Sequence, residues 1–346
     1  MKIRFFEKYL TVFVLLCMIV GVLIGQYLAF IPEWLKKAEI QSVNIPIGVL
    51  IWVMIYPMML KVDFTSVKHV GKNPKGLYLT WVVNWLIKPF TMFAIAYFFF
   101  HVVFDNWIPE ALQTDYLAGA VLLGAAPCTA MVFVWSSLTR GNPAYTLVQV
   151  ATNDLIILLL FVPIVGFLLG LSGISVPWIT LFLSVFLFVV IPLVLASLTR
   201  WWIVKKNGLD YLNNVFIPKF SAFTLSGLLL TLILIFSLQS ELILSNPIHI
   251  LLISVPLIIQ TFLIFFIAYG AARKLNLSHD IAAPAGMIGA SNFFELAVAV
   301  AVALFPLNPG VALATIVGVL VEVPIMLVLV KIANQTKSWF KKGEWA

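Results

Sequence analysis

Charge is scarce in this chain: 10% of its 346 residues are Asp, Glu, Lys or Arg, while 62% are hydrophobic. That shortage excludes a soluble fold, because the apolar runs far exceed what a water-exposed domain buries in its core. Cysteine is nearly missing. The two present, Cys17 and Cys128, both lie in apolar runs, so there is no disulfide framework and any thiol chemistry belongs to a single sulfur. His69, His101, His249 and His279 are scattered near the ends of apolar runs and no H-E-x-x-H occurs. No resident metal or other cofactor is therefore expected, and no paired catalytic motif argues for an enzyme. The pattern G-x-x-x-x-G-K-[ST] is absent as well, which excludes nucleotide hydrolysis of the P-loop kind. Energy must then come from a gradient, from a partner or from nowhere.

What the chain does have is length in apolar stretches. A helix needs ~20 apolar residues to cross a bilayer, and that window finds ten spans, near 6–29, 45–61, 77–103, 116–138, 145–169, 177–203, 219–239, 248–271, 281–305 and 310–331. The fold class read from this is an all-α integral membrane protein. Its 346 residues form one membrane domain, with a first five-span unit over 1–170, a second over 171–335 and a tail over 336–346. Lys2, Arg4 and Lys8 precede the first apolar run. That run is long and no A-x-A site follows it, so it reads as a retained helix rather than a secretory signal. The formal net charge of +7 does not point to nucleic acid, because its distribution is one-sided. Of 21 Lys and Arg, 18 fall on the terminal segments and alternate loops, Lys36 and Lys37 fall on the other side, and Lys88 lies inside a span. By the positive-inside bias both termini are cytoplasmic, as an even number of spans requires. The expected location is the cytoplasmic membrane, with the lipid bilayer as surroundings.

Two spans are broken at their centres by small and polar residues, Gly124-Ala-Ala-Pro-Cys-Thr-Ala-Met131 and Gly289-Ala-Ser-Asn-Phe-Phe-Glu-Leu296. Hydrocarbon offers a freed backbone N–H or C=O no water, so such breaks survive only against protein or a polar cavity. Each break is followed by an apolar half-helix and an Asn-Pro turn, Asn142-Pro143 and Asn308-Pro309, after 18 and 19 residues respectively. With five spans per half this reads as an inverted repeat, the architecture that places substrate and coupling ion at the midplane beside discontinuous helices.

The first break carries Cys128 and Thr129, the second Ser291, Asn292 and Glu295. A cysteine in an apolar span is ordinarily a small packed hydrophobe, and Cys17 takes that reading. Cys128 follows Pro127, which lacks an N–H and disrupts the preceding turn, so its thiol is aimed at the cavity. One thiol suits reversible capture of a soft solute, a transient contact rather than a bound cofactor. Glu295 is a carboxylate at mid-membrane, costly enough to be a functional candidate, and reads as the proton carrier. Its competing reading is structural, a carboxylate that accepts the N–H groups of the broken helix. Thr129, Ser291 and Asn292 line the site with hydroxyl and amide groups. Lys88, Asn153, Asp154 and Glu322 complete the intramembrane polar set, as a structural network or a proton relay. Lys88 paired with Asp154 or with Glu322 is the simplest electroneutral arrangement. Pro163, Pro192, Pro256 and Pro324 read as kinks.

At these residues the chain resembles the arsenite efflux permeases of the arsenical-resistance type, in the superfamily that also holds bile-acid and riboflavin transporters. The resemblance rests on Ala126-Pro-Cys-Thr-Ala-Met-Val-Phe-Val-Trp-Ser136, Asn84-Trp-Leu-Ile-Lys-Pro89, Gln149-Val-Ala-Thr-Asn-Asp154, Gly289 to Glu295, and Val321-Glu-Val-Pro324. It implies ten spans in two inverted five-helix repeats, with the fourth and ninth unwound and crossing. It implies export of arsenite, and of antimonite, in exchange for protons, with Cys128 and Glu295 as the essential pair. The residues alone leave a rival open, a sodium-coupled symporter of organic anions in which the unwound carbonyls, Asn292 and Glu295 ligate sodium. A passive channel and a membrane-embedded enzyme are weaker rivals.

Overall fold

The computed structural model describes residues 5–40, 43–61, 74–128, 131–171, 173–174, 178–245 and 247–340. In chain order its α-helices are α1 (Phe5–Tyr27), α2 (Phe30–Lys37), α3 (Ile45–Met59), α4 (Pro74–Val82), α5 (Lys88–Phe98), α6 (Glu110–Ala125), α7 (Val132–Leu138), α8 (Pro143–Leu171), α9 (Trp178–Val185), α10 (Ile191–Tyr211), α11 (Ile217–Lys219), α12 (Ser221–Leu238), α13 (Ser240–Ser245), α14 (Ile248–Lys274), α15 (His279–Ala290), α16 (Phe294–Leu304) and α17 (Pro309–Gln335). The chain is an all-α membrane protein, and helix lies in each apolar stretch found in the sequence, with breaks after Ala125 and after Ala290. Five of the runs, 74–103, 143–171, 178–219, 248–274 and 309–335, are long and apolar enough to cross a bilayer by themselves. The one ladder among the described residues joins β1 (Glu39–Ile40) to β2 (Val43–Asn44), an antiparallel turn between α2 and α3.

Of the four wide π-helical turns among the described residues, Phe99–Val103 closes a run, and three interrupt long runs at Val83–Ile87, Phe186–Val190 and Leu212–Phe216. Each of these three ends two residues before a proline, Pro89, Pro192 and Pro218. Proline lacks the N–H of the ladder and clashes with the carbonyl a turn earlier, and a locally wider turn gives that ring room. The expected kink at Pro192 therefore takes the form of a π turn, whereas Pro163, Pro256 and Pro324 sit inside unbroken helices. The run from α10 into α11 turns at Gly208, whose φ of 84° lies in the left-handed region that glycine enters without steric cost.

Helices α1, α3, α10 and α12 pack against one another as one group, and α5, α6, α14, α15 and α17 as another, with α16 reaching both. In lipid no hydrophobic force separates helix from tail, so small residues must let backbones approach closely. Gly119 of α6 meets α17 this way, since a Cβ there would stand 2.6 Å from the Cβ of Ala314. The two broken helices are also tied end to end across the molecule. Asp115 near the start of α6 accepts a hydrogen bond from Asn308 Nδ2 at 2.8 Å, and the Asp280 carbonyl at the start of α15 accepts one from Asn142 N at 2.7 Å. Each Asn-Pro turn is thus fastened to the beginning of the other broken helix.

Gly119→Leu must push α6 off α17, an overpacking that costs ~1–3 kcal/mol or more, and is expected to lower the thermal midpoint of the purified protein. Gly170→Leu, at a position where a Cβ would meet no atom within 4 Å, is expected to leave it unchanged. Equal midpoints for the two variants would show that the α6–α17 approach is not tight.

Candidate functional site

The first broken helix stops at Ala125 and resumes at Val132, and the second stops at Ala290 and resumes at Phe294. Between the stops the two chains cross as a fragment of antiparallel ladder, with Pro127 opposite Asn292. Phe293 N donates to Ala126 O at 2.8 Å, and Cys128 N donates to Ser291 O at 3.3 Å. Backbone groups that each break releases are thereby satisfied by the other break, far from water. Proline at position 127 suits this arrangement, because it has no N–H to leave orphaned.

Ser291 is the hub of the site. Its carbonyl receives a second donor, Lys88 Nζ, at 2.6 Å, so both lone pairs are engaged. Its hydroxyl donates to Glu322 Oε1, and the same carboxylate accepts Asn292 N at 3.3 Å. Lys88 and Glu322 therefore meet through one residue of the unwound segment rather than as a direct ion pair. Lys88 is 1% exposed and Glu322 5%, and burial of either charge alone would cost several kcal/mol. Lys88 is steadied from behind by Gln260 of α14, whose Nε2 donates to Lys88 O and to Thr91 Oγ1, each at 2.9 Å.

Cys128 is buried to 2% exposure beside this hub. Its thiol lies within hydrogen-bond reach of the Ser291 side chain and the Met131 backbone, and in electrostatic range of Glu295 and Glu322. Glu295 sits in the first turn of α16, where free N–H groups favour a negative charge, and is 3% exposed. The carboxyls of Glu295 and Glu322 also lie within electrostatic range of each other. Asn292 Oδ1 is buried with no hydrogen-bond partner among the described residues, an open acceptor at the crossing.

The sequence-derived set thus divides. Cys128, Ser291, Asn292, Glu295, Lys88 and Glu322 come together. Asn153 is joined instead to the π turn before Lys88, where its Oδ1 accepts Trp85 Nε1 at 3.3 Å. Asp154 does not reach Lys88, and both its oxygens are buried without a partner among the described residues. Thr129 lies outside the described residues. Gln260 was not singled out by sequence, and the signal that marks it is a lone amide in an otherwise apolar span. Asn84 is a second such case, its whole amide buried and unpartnered among the described residues, in the π turn before Lys88.

Chemically, the crossing gathers one thiol, two carboxyls, one ammonium and an unpartnered amide oxygen, all on residues no more than 5% exposed. A match to the family described as Sodium Bile acid symporter family covers residues 48–246. The arsenical-resistance protein Acr3 of Alkaliphilus metalliredigens is 64% identical over 338 residues, covering 98% of this chain and 95% of that one. The chain belongs to the Acr3 branch of that family. Two further relatives match nearly the whole of this Acr3-type chain. An uncharacterized transporter of Synechocystis sp. is 46% identical over 98% of the chain and 91% of its own length, and the arsenical-resistance protein Acr3 of Corynebacterium glutamicum is 30% identical over 95% and 89%. An Acr3-type protein is a multi-pass membrane transporter.

Because Lys88 and Glu322 compensate each other through Ser291, removal of one partner is expected to destabilise the fold by ~3–5 kcal/mol. Lys88→Met and Glu322→Gln each leave a buried charge uncompensated. The double variant Lys88→Met/Glu322→Gln is expected to lose less than the two single losses combined, read as a thermodynamic cycle by denaturation in detergent. Strict additivity would show that the two charges do not act through one network.

Proposed function

We propose that this protein exports arsenite, and antimonite, from the cytoplasm in exchange for protons. The observation that carries the reading is the lone thiol of Cys128 held at the backbone crossing beside Ser291 and two carboxyls, in a chain 64% identical to an arsenical-resistance protein. Arsenous acid is neutral and thiol-seeking. Capture is an exchange: a sulfur–arsenic bond forms, one arsenic–oxygen bond breaks, and the departing hydroxyl leaves as water with the thiol proton. A single sulfur keeps this bond reversible, where three would trap the metalloid. Asn292 Oδ1 and the Ser291 hydroxyl supply polar contacts for the remaining hydroxyls, with Thr129 as a third.

A neutral solute gains nothing from the membrane potential, whereas an inward proton supplies ~2.3 kcal/mol per 100 mV. Glu295 is the group assigned to carry it, in the first turn of α16 and within range of the thiol. One contact favours the proton over sodium. Carbonyls of unwound membrane helices are the ligands that coupling sodium ions use, and at Ser291 O that place is taken by the ammonium of Lys88. Lys88 thus acts as a built-in cation, which weakens the rival reading of a sodium-coupled organic-anion symporter. Asn153, Asp154 and Glu322 are assigned to the supporting network.

The same reading includes ten spans in two inverted five-helix repeats, with both termini in the cytoplasm. The reciprocal Asp115–Asn308 and Asp280–Asn142 contacts support it. Access alternates as the two helix groups rock about the crossing.

Everted membrane vesicles with an acid interior test the proposal by uptake of arsenite. Uptake is expected in the intact protein, unchanged when choline replaces sodium, and at least ~10-fold lower in Cys128→Ser and Glu295→Gln, the loss of a contact worth ~1.4 kcal/mol or more. Sodium-dependent uptake, or full uptake in Cys128→Ser, would overturn it.

A further inference from the structure

One face of α3 is left uncovered by the rest of the fold. Ile45, Val49, Trp52, Val53 and Tyr56 line an open, almost wholly apolar cavity of about 710 Å³, whose lining is completed by Leu187, Phe188, Phe220 and Phe223. These positions share one helical face. The opposite face, Ile47, Ile51 and Ile55, is buried at no more than 1% exposure, while Val49 is 57% exposed and Phe223 63%. The groove therefore opens away from the helix packing, toward the hydrocarbon.

From Ile45 to Pro57 the groove runs roughly 18 Å at ~1.5 Å per residue, over most of α3. The two ends differ in charge. Where Tyr56 donates to Thr199 Oγ1 at 2.7 Å, the rim carries Arg200, whose guanidinium donates to Leu60 O at 3.1 Å, and Lys61, the residue that follows Leu60. Lys219 is exposed next to Phe220. Lys205 and Lys206 stand over the rings of Trp201 and Trp202 at 5.1 and 5.2 Å, the aromatic-basic pairing of a membrane interface.

We propose that this groove is a binding site for an anionic phospholipid, with one acyl chain along α3 between Phe188 and Phe223 and the phosphate headgroup at the basic rim of Lys61, Arg200 and Lys219. The cavity volume falls in the ~300–1,000 Å³ range of ligand sites. Basic pockets at helix ends recognise anionic headgroups through the same charge complementarity. The rim lies on the leaflet that faces the cytoplasm, a placement that rests on the proposed orientation of the termini.

Native mass spectrometry of the detergent-purified protein tests the site without reference to orientation or transport. Phosphatidylglycerol added at a few equivalents is expected to stay bound through activation that strips phosphatidylcholine. Lys219→Glu, which reverses the rim, and Val49→Trp, which fills the groove, are each expected to reduce retained phosphatidylglycerol about fivefold or more. Thermal midpoints measured without lipid check that both variants are folded, and Lys337→Glu, outside the rim, serves as the charge control. Equal retention of the two lipids, unchanged retention in folded Lys219→Glu and Val49→Trp, or a dimer that Val49→Trp dissolves would overturn the proposal.

Discussion

A polypeptide that unwinds inside hydrocarbon must find a partner for every backbone group it frees. In this protein the two unwound segments are each other's partners. The bonds from Phe293 N to Ala126 O and from Cys128 N to Ser291 O are the shortest answer to that demand. Each lost partner in a water-free setting costs several kcal/mol, so neither break is stable without the other. The position of Cys128 follows from this pairing: its thiol sits at the crossing because its own amide is one of the ties.

The charged groups are arranged around the same constraint. Ser291 O would accept Cys128 N alone, and Lys88 completes it. Glu322 then balances Lys88 and at the same time takes the hydroxyl of Ser291 and the amide of Asn292. Lys88 itself is placed by the π turn at Val83–Ile87, which makes room for Pro89, and is braced by Gln260. A chain of local necessities thus runs from a proline in one helix to the electrostatics of a break about 200 residues later. Asp154 stands outside that chain, buried and without a partner among the described residues, and the pairing of Lys88 with Asp154 that the sequence left open is not formed.

Much of this was legible in the sequence because its signals are local. The breaks announce themselves as small residues with Pro127 or with Ser291 and Asn292, and the helix ends at Ala125 and Ala290 lie within them. The long helices announce themselves by apolar length. Glu322 was one of two partners the sequence offered Lys88, but Ser291 as the link between them was not legible, because the members are 203 and 31 residues apart and the packing of α5, α15 and α17 brings them together. Gln260 and Asn84 were missed for a related reason. A single amide among apolar residues gives no periodicity, and its meaning lies in the helix it faces. Of the π turns only the one before Pro192 was anticipated, and as a kink, since proline spacing marks where a helix is disturbed and not whether it narrows, bends or widens.

The reciprocal ties of Asp115 to Asn308 and of Asn142 to the Asp280 carbonyl have a mechanical side. Together with the ladder fragment at Pro127 and Asn292, they fasten the broken helices at three places, one central and two distal. Two bars pinned at the middle alone can scissor, and pins at both ends forbid it. The crossing then turns only as a single piece, like an axle with its spokes fixed. Points near the axle travel least, and the thiol of Cys128 is among them, so any turning about the crossing carries that sulfur through the smallest arc.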